Sequence, residues 1–269
     1  MTSILHLASR VGDLLSAPFG DHAGWALLAW SVVFGLMAIL LFKLATPQKR
    51  LAAARDRLIG HLLEAALFQT SLRTILAVQG RLLVANLCYL MTALPAIVAL
   101  VVPLLLVLPQ LEARFGRRPL DVGEAALVTA AVAGDAQLSL AGDAGIVVEA
   151  GPVRDDARGE VVWRVRAQAA GRHELRLSGA GEVQSLEVAV AEPGLAALTA
   201  ARHVNGFDQL VFDPAGVPLP RDGAVRRLAV ALPSREVGVA GVVLPWLVSF
   251  TLLSLAAGLL LKKPLSVEL

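Results

Sequence analysis

The sequence has little cysteine and little charge, and each shortage excludes a class of protein. Its single cysteine, Cys88, lies inside an apolar run, so no internal disulfide can hold a domain together. Charged residues make up 17% of the chain, against about 25% in an average soluble domain. The net charge is only +2, and no basic stripe with interleaved aromatics indicates a nucleic-acid partner. The 56% of hydrophobic residues instead points to lipid as a solvent.

Motifs that carry catalysis are absent from the sequence as well. It contains no Gly-rich phosphate loop, no nucleophile elbow and no HExxH pattern. His203, Asp208 and Asp213 lie close together in sequence, where a solvated loop cluster is the simple interpretation and a metal site the alternative. His173 is expected at a strand surface, and we expect a non-enzymatic protein without a metal or cofactor.

Three long uncharged runs are the main positive feature of the sequence. They predict transmembrane helices at 23–43, 82–108 and 237–261. Each run reaches the length of about 20 apolar residues that a helix needs to cross a bilayer. Pro95 is expected to kink the second helix, because proline lacks a backbone donor.

The lysines predict the orientation of these helices. All four lysines flank the runs at Lys43, Lys49, Lys262 and Lys263, and positive flanks remain in the cytoplasm. This pattern places the 44–81 loop and the 262–269 tail inside, and the N-terminus outside, in a bacterial inner (plasma) membrane. Residues 1–20 lack the features of a secretory signal. Residues 1–22 are expected to form an amphipathic segment on the outer surface or, alternatively, a partly ordered tail.

The 44–81 loop is predicted to be a cytosolic hairpin of two amphipathic helices. Apolar residues recur at helical spacing, and Gln69-Thr70-Ser71 interrupts the pattern. Arg55, Arg57 and Arg73 are the candidate partner surface of the hairpin. The alternative is an interfacial elbow that packs only against its own spans.

The long segment between the second and third runs is predicted to be an extracytoplasmic β domain. Apolar and polar residues alternate at 161–168, 173–178 and 183–190, as in half-buried strands. Short strands with Gly-rich turns predict an antiparallel, immunoglobulin-like sandwich over 109–193, with Trp163 in its core. Residues 194–236 are expected to form a separate juxtamembrane segment, with a short helix near 196–207 and an extended return to the membrane.

Polar residues within the predicted spans are few, and none of them is ionisable. Ion-coupled transport is therefore disfavoured, because proton and ion pathways normally require intramembrane charge. Ser31, Asn86, Thr92 and Ser249 are the candidates for a polar groove inside the membrane. The alternative is that they form hydrogen bonds between neighbouring helices.

Three stretches of the chain carry a resemblance to a known family. They are FKLATPQKRLAAARDRLIGHLLEAALF, VANLCYLMTALPAIVALVVP and WLVSFTLLSLAAGLLLKKPL. In this order they resemble the Oxa1/YidC superfamily of membrane insertases, which implies an outside N-terminus, a cytosolic hairpin and two further spans. The chain departs from the family because it has no intramembrane arginine and has a long domain between the last two spans. RPL-x-x-GE at 118–124 is similar to the lead-in of uncharacterised bacterial three-span proteins.

Two functions follow as hypotheses. The first is an insertase-like or chaperone-like role in membrane protein biogenesis, with the lipid bilayer, other membrane proteins or nascent membrane segments as partners. The alternative is a membrane-anchored binding or scaffold subunit whose outer β domain docks a periplasmic partner.

Overall fold

The computed structural model describes residues 12, 16–20, 22–67, 72–134, 136–179, 181–239 and 241–265, without the side chains of 48, 65–67 and 72–76. These residues form helices and antiparallel β sheets, so the protein belongs to the α+β class. The amphipathic segment expected at 1–22 lies largely outside the described residues, apart from a short 3-10 turn at Ala17–Phe19.

The chain divides into two compact units. A helical unit consists of Trp30–Leu104 and the described residues from Phe250 onward. A β domain consists of the described residues up to Ala29 together with Leu105–Ser249. The helices of the chain are α1 (Ala23–Ala45), α2 (Gln48–Leu67), α3 (Leu72–Leu111), α4 (Gly206–Phe212) and α5 (Trp246–Lys262).

Two helical stretches are long and apolar enough to cross a membrane by length and composition: α1, and Ala77–Gly116 in and just after α3. Only 11% of the most apolar part of the second stretch is buried, so its side chains face outward. The prediction of apolar helices in the first two runs is confirmed. The break predicted at 69–71 lies outside the described residues, and helices α2 and α3 flank it as expected.

The third apolar run differs from the prediction of one helix over 237–261. Its first part is a hairpin of β9 (Val237–Val239) and β10 (Val242–Leu244), and α5 begins only at Trp246. Valine favours extended backbone, and Gly241 adopts a φ of 84° in the turn. Pro245 directly precedes the helix, and its carbonyl accepts hydrogen bonds from the Val248 and Ser249 amides in the first turn. The remaining 17-residue helix is about 25 Å long.

The β domain contains two further antiparallel sheets. Five strands form one sheet in the order β3-β4-β1-β8-β7, and three form the other in the order β2-β5-β6. The strands are β1 (Ala125–Val132), β2 (Leu138–Gly142), β3 (Ile146–Asp155), β4 (Glu160–Ala167), β5 (Gly171–Gly179), β6 (Glu182–Val190), β7 (Ala201–His203) and β8 (Val225–Val230). Strands β4, β5 and β6 coincide with the three alternating segments of the sequence.

One hydrophobic core is shared by residues of both sheets. Trp163 on β4 is 2% exposed and lies in the same cluster as Val128, Leu175, Leu186 and Leu228. Buried and less buried residues largely alternate along β1, β5 and β6, so each sheet buries one face. The prediction that Trp163 is a core residue is confirmed.

Residues 194–236 are not a separate segment, which corrects the predicted boundary at 193. Strand β8 is an interior strand of the five-stranded sheet, between β1 and the edge strand β7. The helix expected near 196–207 is also misplaced, because 201–203 form β7 and α4 begins at Gly206. Asn205 sets that start, since its side chain accepts a hydrogen bond from the backbone of Phe207.

Candidate functional site

The four polar residues predicted within the membrane lie on three helices. Ser31 on α1 and Ser249 on α5 are buried, whereas Asn86 on α3 is exposed. The Thr92 hydroxyl donates to the Cys88 carbonyl of its own helix at 2.8 Å. Asn86 and Thr92 are six residues apart, so they point from different faces of α3. None of the four lines the groove described next.

Helices α1 and α5 approach each other closely in the helical unit. A Cβ added to Gly35 would lie 2.6 Å from the Ser254 carbonyl oxygen and 2.9 Å from the Ala257 Cβ. The rings of Phe34 and Phe250 pack nearby, with centroids 5.2 Å apart. Only glycine allows this separation of the two backbones, which is how small residues act at membrane helix interfaces.

An apolar groove of about 340 Å³ runs beside this contact, with walls from α1, α3 and α5. Leu100 is the contribution of α3. Thr251 and Ser254 of α5 are the polar residues in the wall, and the Ser254 hydroxyl donates to the Thr251 carbonyl at 3.1 Å. The Ser254 hydroxyl therefore makes its hydrogen bond within α5, and the surface of the groove is mainly apolar.

A second groove, of about 490 Å³, lies between α2 and α3. Arg57 and His61 line it from α2, and Arg81 lines it from α3. Glu64 connects the two helices, because its carboxylate is 2.8 Å from Arg81 Nη2 and 3.1 Å from His61 Nδ1. One predicted residue of the hairpin surface, Arg57, thus belongs to a groove.

The other two arginines of that predicted surface do not join this groove. Arg55 Nε lies 3.6 Å from the exposed carboxylate of its neighbour Asp56. The side chain of Arg73 lies outside the described part of the chain.

The β domain buries a carboxylate, Asp213, just after α4. Its Oδ1 accepts hydrogen bonds from Arg117 Nη1 at 2.7 Å and from the Ala200 amide at 3.1 Å. His203 Nε2 is 3.7 Å from Oδ2. Buried Gln209 supports the cluster, because its amide donates to the Asp213 carbonyl and its oxygen accepts from the His203 amide.

His203, Asp208 and Asp213 are the residues for which the sequence allowed either a solvated loop cluster or a metal site. The structure brings His203 and Asp213 together, but Asp208 takes no part in the contacts of that carboxylate. The described residues contain no group of three or more His, Cys, Asp or Glu side chains placed to hold a metal ion. The cluster is an internal ion pair that ties α4 to the segment after α3. Arg117 and Asp213 are 96 positions apart in sequence, so no local pattern indicates their pairing.

Glu112 extends the polar contacts toward the start of α5. Its carboxylate accepts a hydrogen bond from the Trp246 indole at 2.8 Å and lies 3.6 Å from Arg117 Nε. Nearby Arg114 is fully buried and donates to the carbonyl and side-chain oxygens of Gln110. The residues before and after the β sheets are therefore joined by charge-assisted hydrogen bonds within this unit.

The carboxylates with a resolved pKa shift on the β domain are all shifted toward the ionised form. Hydrogen bonds from Arg118, Arg166 and Arg176 lower the pKa of their partners Glu124, Glu149 and Glu174. General acid–base catalysis near neutral pH requires a raised carboxylate pKa. The lowered pKa values of these carboxylates follow from their ion pairs with arginine.

His173 and Asp143 form a further polar contact at the turn between β2 and β3. Burial would raise the pKa of Asp143, but amide hydrogen bonds from Gly145 and Glu174 and a side-chain bond from His173 lower it. The second ring nitrogen of His173 contacts the Ala169 carbonyl at 2.9 Å. His173 thus lies near the start of β5, as expected, and both of its ring nitrogens have partners.

Three large apolar side chains on α4 and in the loop after it are exposed. Phe207 and Phe212 are 60% and 57% exposed, and Val217 in the following loop is 69% exposed. The Phe212 ring also packs beside His203, with centroids 6.1 Å apart. We call these three residues the α4 patch.

Comparison with protein families, with curated proteins and with solved structures finds no match to this chain. Its function has to be inferred from its own residues.

Proposed function

We propose that the protein is a non-enzymatic, multi-pass membrane protein of the bacterial plasma membrane, with α1, α3 and α5 as three spans. In this proposal the two sheets form an immunoglobulin-like sandwich outside the cytoplasm. Helix α2 and the first part of α3 form the cytoplasmic hairpin, and the rest of α3 crosses the membrane. Two apolar helices of sufficient length support it, and so does the placement of all four lysines beside the spans. Helix α5 is short, and a local thinning of the bilayer accommodates it.

Within the membrane, the protein is proposed to act as an insertase-like or chaperone-like factor that holds an apolar segment of another membrane protein. The observation that carries this role is the groove between α1, α3 and α5. Its walls are mainly apolar, so they match the apolar side chains of a passing membrane helix. In the proposal this apolar groove, and not a polar groove near Asn86, holds the segment of the other membrane protein.

Site-specific photocrosslinking tests this role. A photoreactive residue at Thr251, Ser254 or Asn86 is compared with one at Leu260, which is 79% exposed on the same helix as the first two. Capture of newly made membrane proteins from Thr251 and Ser254, without capture from Leu260, supports the groove. Equal capture at all positions, or none at the groove, contradicts it.

The α4 patch favours a second role, in which the outer domain docks a partner as a scaffold subunit. Two exposed phenylalanines on one short helix are costly in water and are typical of protein contacts. The double variant Phe207→Ser and Phe212→Ser is expected to lose partners that copurify with the full chain. Val153→Ser, at an equally exposed position on β3, is the matched control.

Reporter fusions after Arg81 and after Glu192 test the orientation on which both roles depend. The reporters are expected on opposite sides of the membrane, with Arg81 inside. Activity of both on one side would contradict the proposed topology.

A further inference from the structure

The groove between α2 and α3 combines cationic and apolar walls. Arg57 and His61 face Arg81 at one part of it, whereas Val84, Ala85 and Cys88 continue along α3. Glu64 is the carboxylate that pairs with Arg81 and His61. The two guanidiniums and one carboxylate leave a net charge of +1, so the groove matches a single negative charge.

Arg81 marks a defined depth on α3. It is the last charged residue before the uncharged stretch 82–111. This inference rests on the membrane topology proposed above, in which the cationic part of the groove lies where α3 meets the polar boundary of the bilayer and the apolar part lies one to two turns deeper. Lipid phosphates and the first acyl carbons occupy these same two depths.

The donors of the groove remain suitable for a phosphate beside Glu64. Arg81 uses Nη2 toward the carboxylate, and a guanidinium carries five N–H donors in a planar fork. The side chain of Arg57 is exposed at the groove. The space beside Gly80 is open, because a Cβ built there meets no atom within 4 Å.

We propose that this groove binds one anionic glycerophospholipid of the surrounding leaflet. Arg57 and Arg81 hold the headgroup phosphate, and the wall of Val84, Ala85 and Cys88 contacts the start of an acyl chain. The net charge of the groove selects a lipid such as phosphatidylglycerol over phosphatidylcholine, whose own ammonium cancels the phosphate charge.

Native mass spectrometry of the full chain, released from nanodiscs of phosphatidylglycerol and phosphatidylcholine, tests this site. The wild-type chain is expected to retain one phosphatidylglycerol. Arg57→Gln should weaken its retention about tenfold, the usual effect of losing one charge-assisted hydrogen bond. Arg55→Gln is the matched control, since Arg55 lies on the same helix and pairs with Asp56, and it should change retention less than twofold.

A second variant distinguishes binding in the groove from a general attraction between the positive chain and anionic lipid. Gly80→Leu fills the groove without changing any charge, and it is expected to reduce retention as strongly as Arg57→Gln. Equal losses in Arg55→Gln and Arg57→Gln, or full retention in Gly80→Leu, would overturn the proposal.

Cys88, the single cysteine, supplies a readout that leaves the charges of the chain unchanged. Its alkylation by a membrane-permeant maleimide is expected to be slower in phosphatidylglycerol than in phosphatidylcholine nanodiscs. Inorganic phosphate added to the phosphatidylcholine sample should give no protection, because it lacks the acyl chain. The same rate in both lipids, or protection by phosphate alone, would contradict a lipid site.

Discussion

The β domain and the helical unit use the same apolar residue types in opposite ways. In the β domain, Trp163, Leu175 and Leu228 point into a core that the two sheets share. In the helical unit, Leu83 on α3 is 72% exposed, and many of its apolar neighbours on that helix are exposed as well. Apolar surface on that scale is costly in water, which agrees with the membrane location proposed for the helical unit.

The two regions also differ in the interactions that fix the packing of their strands and helices. The β domain positions its strands through a packed core and through ion pairs such as Arg117 with Asp213. The helical unit relies on close backbone approach at Gly35 and on few polar contacts. Substitutions should therefore act through cavities and lost charge pairs in one region, and through steric overlap in the other.

Replacing Trp163 with Ala is expected to have the largest effect. It removes a fully enclosed aromatic ring from the core and should lower the free energy of unfolding of the β domain by about 3–5 kcal/mol. Chemical denaturation of the full chain measures the loss, with the protease resistance of the β domain as the readout. Val183→Ala, at an exposed position on β6, should stay within about 0.5 kcal/mol. Similar losses in both variants would mean that the shared core does not stabilise the domain.

Asp213→Ala should be the next most damaging change. It leaves Arg117 without its closest carboxylate and removes the acceptor of the Ala200 amide. Arg117 is partly exposed, so we expect a loss of about 2–3 kcal/mol, below that of a fully buried ion pair. The same denaturation experiment measures it, with Asp208→Ala as the neighbouring control. A smaller loss in Asp213→Ala than in Asp208→Ala would contradict the assigned role of the cluster.

Gly35→Ala should act in the helical unit, with an effect of about 1–2 kcal/mol. The new Cβ meets the Ser254 carbonyl and Ala257, so α1 and α5 have to separate. Thermal unfolding in detergent measures the change. Gly60→Ala in α2 is the control, because nothing lies within 4 Å of its added Cβ and alanine favours helix. Equal behaviour of the two variants would disprove the close contact.

The pair of Arg118 and Glu124 should give the smallest effect, below about 1 kcal/mol, since both side chains are partly exposed. Arg118 lowers the pKa of Glu124 below its ordinary value of 4.5 in the folded state. The stabilisation is therefore complete above pH 4.5 and is lost as the pH falls through the lowered pKa. Arg118→Gln should reduce this acid-dependent loss, which denaturation at several pH values measures. An unchanged slope would show that the pair does not contribute.

Local information in the sequence is sufficient for much of this architecture. Long uncharged runs indicate α1 and α3, and alternation at 161–168 indicates a half-buried strand with Trp163 inside, because both patterns depend only on neighbouring residues. The same information failed at 237–244, where apolar residues form a hairpin instead of helix. Apolarity alone does not distinguish the two, and the glycines and Pro245 change the local backbone preference.

Only the tertiary structure decided which distant residues meet. Three features join segments far apart in the chain: the pairing of β8 with β1, the pairing of Arg117 with Asp213, and the groove between α1, α3 and α5. The sequence by itself determined that the chain has apolar helices and a β domain. The helices follow from long uncharged runs, and the strands follow from the alternation of apolar and polar residues. Contacts between segments depend on how complete surfaces fit together, and no short window of the sequence contains that information.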